Sequence, residues 1–119
     1  MKKTLILGAT TNPTRYAYEA ARRFIEESID FVPVGIKKGE VFGKKIINDK
    51  TIIEGIDTIT LYIGPAKQTE WEEYILSTKP NRIIFNPGTE NTSLAQKAKK
   101  AGIAPIFACT LVMLSVGNY

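Results

Sequence analysis

Thr4-Leu5-Ile6-Leu7-Gly8-Ala9-Thr10-Thr11-Asn12-Pro13-Thr14-Arg15-Tyr16-Ala17-Tyr18 decides the reading of this chain. A short apolar run ends at a glycine and a polar loop. A helical pattern follows over residues 15–27, where Ala17, Ala20, Ala21, Phe24 and Ile25 recur on one face. A buried strand feeding a helix in this way opens an α/β sheet. The first N–H groups of such a helix have no partner inside it, and its dipole favours an anion. Gly8 permits a tight turn and close approach. Thr10, Thr11 and Asn12 offer short polar groups that can bond phosphate oxygens or cap the helix, and Arg15 can pair with a phosphate bidentately. The plain alternative is a capped helix with a solvated Arg15. The strand before the loop and the helix after it favour the phosphate reading.

Outward from that loop, strands and helices alternate. Residues 30–34 read as a second strand and residues 59–63 as a third, ended by Gly64-Pro65. Thr69-Glu70-Trp71-Glu72 is a capping-box pattern that predicts a helix start at Thr69. Trp71, Tyr74 and Ile75 give that helix its apolar face, and Lys79-Pro80 stops it. Residues 82–85 form the next strand, ended by Asn86-Pro87-Gly88. A helix over residues 92–101 turns Leu94, Ala95, Ala98 and Ala101 inward, and Gly102 caps it. Residues 103–108 make the fifth strand and residues 111–116 a short final helix. Residues 37–57 read as a crossover with an extended piece at 45–47. This alternation predicts an α/β fold: a three-layer αβα domain spanning residues 1–119, with a five-stranded, mostly parallel sheet.

Composition removes several classes of function. The chain has 119 residues, 44% hydrophobic and 24% charged, with no histidine. A histidine general base, a phosphohistidine and an imidazole metal site are therefore excluded. Cys109 is the only cysteine, so no intrachain disulfide or structural zinc site is expected, and a reducing cytoplasm is the simplest location. The apolar run at residues 5–7 is too short for a signal peptide, and nothing approaches membrane-spanning length. The net charge of +4 comes from scattered lysines, which suit a phosphate-bearing small ligand better than nucleic acid.

The loop departs from the dinucleotide fingerprint, which needs glycine where this chain has Thr10 and Pro13. The carboxylate expected after the second strand is absent. Val34 is followed by Gly35, Ile36, Lys37 and Lys38. That disfavours NAD and favours extra phosphate near the ribose, or else two solvated lysines. Gly64-Pro65 and Gly88 end later strands and can line the same crevice. Tyr16 and Tyr18 flank the loop and can stack or hydrogen-bond. Cys109 lacks a base, so a small hydrophobe is the expected role. Glu90 and Tyr18 are the only proton-transfer groups near predicted strand ends, and no catalytic residue is assigned.

Several segments in order resemble the small stand-alone CoA-binding-domain family, related to the CoA-binding domain of succinyl-CoA synthetase alpha subunits. They are Gly8-Ala9-Thr10 with Pro13, Arg15 and Tyr18; Phe31-Val32-Pro33-Val34-Gly35; Val41-Phe42-Gly43-Lys44; Gly88; Ala98-Lys99-Lys100-Ala101-Gly102; and Cys109. The resemblance implies a Rossmann-like fold and coenzyme A or an acyl-CoA as ligand. By position, Gly8, Ala9, Thr10, Pro13 and Arg15 would hold the pyrophosphate. Val34, Gly35 and Lys37 or Lys38 would flank the adenosine end. Ile63, Gly64 and Pro65 would line the crevice, with Gly88 near the pantetheine path. This chain has Gly35-Ile36 where the family often has asparagine-proline. It also has Gly64-Pro65 where a charged pair is common, and Phe107-Ala108 where acidic and arginine residues usually precede the cysteine. Three readings stand: a non-catalytic CoA carrier, sensor or regulator; a small NAD(P)-dependent or other nucleotide-cofactor enzyme; and an interaction module with a degenerate site. A homodimer or a protein partner is compatible with each.

Overall fold

The computed structural model describes residues 2–119. Strand β1 is Thr4–Leu7 and helix α1 is Tyr16–Glu26, which leads to β2, Phe31–Val34. A small antiparallel hairpin follows, β3 at Glu40–Val41 and β4 at Lys44–Lys45. The chain then returns to the sheet as β5, Thr58–Leu61. Helix α2 (Pro65–Gln68), a 3-10 turn (Thr69–Trp71) and α3 (Glu72–Thr78) lead to β6, Arg82–Phe85. Helix α4 (Thr92–Lys100), β7 (Ala104–Phe107) and α5 (Thr110–Val116) complete the order.

The five main strands lie in the order β2-β1-β5-β6-β7, and every pairing is parallel. The expected three-layer, Rossmann-like architecture is therefore present. Alternate residues along β1 feed two cores. Leu5 and Leu7 join Ile59, Leu61, Ile83 and Phe85 under Trp71, Tyr74 and Ile75 and under Leu94, Ala95 and Ala98 of α4. Ile6 and Phe31 face the other way, against Ala17, Ala20, Ala21 and Phe24 of α1 and Leu114 of α5. Both faces are covered, which explains why the strands read as continuous apolar runs.

Beyond β2 lies a single parallel bridge, Val34 to Ile47. Ile47 donates its N–H to Pro33 and accepts from Gly35 N–H, both at 3.0 Å. It occupies the place of a further strand. With it the order becomes that of a dinucleotide-binding sheet whose third strand has shrunk to one residue. The extended piece expected at 45–47 thus contributes this bridge and part of the hairpin.

Three expectations change. The helix expected from Thr69 begins at Pro65, because proline's fixed φ and missing N–H suit the first helical position after Gly64. Thr69 is already helical there (φ −54°, ψ −42°), so it cannot act as a cap. Ile25 is exposed rather than on the inner face of α1, and Ala101 is exposed past the end of α4. Ile25 lies at the edge of the apolar face, next to the fully buried Phe24, and Ala101 is the C-cap that follows Lys100.

Candidate functional site at the strand switch point

The strand order reverses between β1 and β5. Beyond their carboxyl ends an open α/β sheet presents a crevice. Gly8 closes the floor of this crevice with φ +101°. A Cβ there would stand 2.9 Å from Ile63 Cγ2 and 3.1 Å from the Tyr62 carbonyl carbon. Gly35 is the matching gap on the other side, where a Cβ would lie 3.4 Å from Ala9 N. The ends of β1, β2 and β5 therefore meet across backbone that side chains would separate.

The loop's internal bonds divide its residues by role. Gly8 and Ala9 both donate their N–H to the Val34 carbonyl, at 2.9 and 3.1 Å. They give shape and close approach, while their amides are committed to β2. Thr10 Oγ1 accepts from Asn12 N–H, and Asn12 Oδ1 accepts from Thr14 N–H and the Thr14 hydroxyl. Arg15 N–H donates to Asn12 O at 3.1 Å. These bonds set the turn that enters α1. Arg15 is the N-cap residue in extended conformation, and its side chain does not cap. The N–H groups of Tyr16 and Ala17 begin the first turn and lack intrahelical acceptors. Thr11, Arg15 and Tyr16 are exposed beside them. An anion placed here meets helix N–H donors, a guanidinium and a hydroxyl.

A second wall comes from the hairpin. Gly39 has φ +122°, and a Cβ on it would lie 2.8 Å from Thr11 Cγ2. Phe42 packs on Tyr18 with ring centroids 5.0 Å apart. Tyr18 thereby anchors the hairpin to α1. Asn48 Nδ2 donates to Gly35 O at 2.6 Å and to Lys37 O at 2.9 Å. That pins the segment carrying Lys37 and Lys38, whose side chains are exposed. Opposite, Gly64 caps α2 after Ile63, and its Cβ position lies 4.0 Å from Gly88 O. Gly88 N–H is held by Glu90 Oε1 at 2.8 Å. Loop 8–15, Val34–Gly35, 63–65 and Gly88 are thus gathered at one end of the sheet.

The sequence reading missed the buried scaffold beneath. Gln68 Nε2 donates to Ile63 O and Thr89 O, and Asn91 Nδ2 donates to Gln68 Oε1. Asn91 also caps α4 by accepting from Leu94 N–H. Asn86 Nδ2 donates to Thr60 Oγ1 and Leu61 O, and its Oδ1 accepts from Thr110 N–H. These amides lock the ends of β5 and β6 to the starts of α4 and α5. The only signal was Asn86-Pro87-Gly88, which reads equally well as turn punctuation. Tyr62 also lies here. Its hydroxyl is buried without a partner among the described residues, and burial pushes its pKa up. Cys109 is half-buried at the N-cap of α5. Among the described residues no three His, Cys, Asp or Glu side chains cluster to hold a metal, and no helix is long and apolar enough to cross a membrane.

The family described as "CoA binding domain" matches residues 2–115. The chain belongs to that family. A crystal structure of an uncharacterized protein superimposes on this CoA-binding-domain chain with a TM-score of 0.99 at 58% identity, over 100% of this chain and 98% of the other. A hypothetical protein from Pyrococcus horikoshii OT3 gives a TM-score of 0.87 at 26% identity, over 97% of this chain and 82% of its own. A structure from Thermus thermophilus shares the fold of this CoA-binding-domain chain at 21% identity, with a TM-score of 0.86 over 99% and 90% of the two chains. No curated protein matches the chain.

Proposed function

We propose that the protein binds coenzyme A or an acyl-CoA at the β1/β5 switch point, as a cytoplasmic carrier, sensor or regulator rather than a catalyst. The carrying observation is the exposed start of α1 beside that switch point, with Arg15 and Thr11 around its free N–H groups, in a chain of the CoA-binding-domain family. In this reading the phosphates lie over loop 8–15, with Gly8, Ala9 and Pro13 giving shape. Thr10 and Asn12 hold the turn. Thr11, Arg15 and the first helical N–H groups make the bonds. Val34, Gly35, Lys37 and Lys38 flank the adenosine end, and Tyr18 fixes the hairpin behind it. Ile63, Gly64, Pro65 and Gly88 line the path of the pantetheine arm.

One feature favours CoA over NAD, and another favours binding over catalysis. No carboxylate follows β2 to hold a ribose diol, and two exposed lysines stand there instead. The amide side chains beneath the crevice are satisfied by backbone groups, by Thr60 and, between Asn91 and Gln68, by each other, which suits a rigid binding floor more than proton transfer. Bound CoA would supply a thiol for acyl attachment. The chain's own residues would position its phosphates and shield its arm.

A thermal-shift titration with CoA, acetyl-CoA, NAD, NADP and ATP tests this. A ligand that binds only the native state raises the melting temperature by mass action. Stabilisation by CoA or acetyl-CoA and not by the other nucleotides is the expected result. A preference for NAD or NADP would move the protein to the cofactor-enzyme class. No response to any ligand would leave an interaction module with a degenerate site.

A further inference from the structure

Gln68 ends α2 and is fully buried, with 0% exposure. A carboxamide in such a place is unfavourable unless its groups find partners. Gln68 Nε2 donates to Ile63 O at 2.9 Å and to Thr89 O at 2.8 Å, and its Oε1 accepts from Asn91 Nδ2 at 2.9 Å. A backbone group fixes the sense of this chain. Asn91 Oδ1 accepts from Leu94 N–H, so Asn91 must turn its NH2 to Gln68. Gln68 must then turn its own NH2 to the two carbonyls.

Those carbonyls belong to opposite rims of the crevice. Segment 62–65 follows β5 and segment 87–91 follows β6. The β5–β6 pairing ends at Leu61 and Phe85, and Asn86 ties β6 back to Thr60 and Leu61. Farther out, among the described residues, the two segments are joined by hydrogen bonds only through Gln68. The rims stand close, since a Cβ on Gly64 would lie 4.0 Å from Gly88 O. Neither glycine has a side chain to hold that spacing. It is set from beneath, by one carboxamide.

We propose that Gln68 is a positioning residue for the arm of the ligand: by holding Ile63 and Thr89 at a fixed spacing, it pre-forms the slot between 63–65 and Gly88. This rests on the CoA reading, which runs the pantetheine arm along these rims. A flexible arm loses many rotamers on binding, and a slot that is already shaped lowers the remaining cost of ordering. Gln68 makes no hydrogen bond to loop 8–15 or to the segment after β2, where the nucleotide end is placed. The arm's share of the affinity therefore depends on Gln68, and the nucleotide's share does not.

Isothermal titration calorimetry of the full chain with two ligands separates these shares. One is CoA, and the other is 3′-phospho-ADP, which is CoA without its pantetheine arm. Gln68→Met keeps the length of the side chain and removes its amide. It is expected to lower the affinity for CoA about tenfold and to leave that for 3′-phospho-ADP within about twofold of wild type. Asn91→Asp is the second variant, and it carries the test if Gln68→Met does not fold. It keeps the cap on α4 but faces Gln68 Oε1 with an acceptor in place of a donor. It is expected to shift the two affinities in the same unequal way. Equal losses for both ligands would reduce Gln68 to a structural role and overturn the proposal. So would CoA affinities that match wild type in the folded variants. A wild type that binds 3′-phospho-ADP as tightly as CoA overturns the slot and leaves the phosphate loop standing. A wild type that binds neither ligand removes the CoA reading and the slot together.

Discussion

Arg15 and Gly8 lie seven positions apart in one loop and have opposite duties. Arg15 is exposed, caps nothing with its side chain, and stands beside the unbonded start of α1. Its removal is expected to leave the melting temperature unchanged and to weaken CoA binding by about 1.5–3 kcal/mol, the worth of a charged hydrogen bond. Isothermal titration calorimetry of Arg15→Ala checks this, and equal affinity would take Arg15 out of the site. Gly8 carries the reverse expectation. Its φ of +101° disfavours a side chain, and Ile63 Cγ2 waits 2.9 Å from the Cβ position. Gly8→Ala is expected to destabilise the fold by about 1–3 kcal/mol in urea denaturation. Gly43→Ala serves as the control, with positive φ (+81°) but nothing within 4 Å, so it bears only the dihedral strain. Equal losses in the two variants would mean that the β1–β5 approach is not what Gly8 protects.

Between elements, the decisive groups are amides that no pattern in the sequence announces. Asn86 joins three elements by donating to Thr60 and Leu61 in β5 and accepting from Thr110 at the start of α5. Asn86→Ala leaves buried polar groups unpaired, at about 1–3 kcal/mol for each group so stranded. A drop in stability with the Arg15 region intact is the expected result, read by urea denaturation and by the proteolytic sensitivity of α5. An unchanged α5 would show that Leu114 packing holds it without the amide. The strands were legible because burial on both sheet faces makes apolar runs, and β6 matches residues 82–85 as read. Helix α1 was legible through its alanine and phenylalanine spacing. The start of α2 was not, because Gly64-Pro65 serves equally as a strand-ending turn and as a helix cap with its first residue. The hairpin was missed because two-residue strands carry no period. Its approach to α1 through Phe42 on Tyr18, and to loop 8–15 where Gly39 lies against Thr11, is tertiary. The loop of the candidate site was therefore readable from local residues, and its walls and floor were not.

Across the whole molecule the sheet separates its duties by end. The carboxyl ends of the strands carry the glycine approaches and the exposed start of α1. The amino ends carry a polar lock in which Asp57 N–H donates to Lys3 O, and the Asn81 and Arg82 N–H groups donate to Asp57 O. Burial pushes the Asp57 carboxyl pKa up. Hydrogen bonds from Thr58 and Asn81 and the charges of Arg82 and Lys2 outweigh it, and the net shift is down. A carboxyl whose folded pKa lies below its unfolded value stabilises the native state fully above the unfolded pKa, about 4. That contribution is lost as pH falls through the folded value. Melting temperature is therefore expected to decline below about pH 4 in wild type. In Asp57→Asn this part of the acid sensitivity disappears, so the stability gap between the two proteins narrows as pH falls. CoA affinity at neutral pH is expected to match wild type in this variant, because Asp57 lies at the far end of the sheet from loop 8–15. A gap that stays constant from pH 7 to pH 3 would remove Asp57 from the acid response. A loss of CoA affinity would show that the two ends of the sheet are coupled.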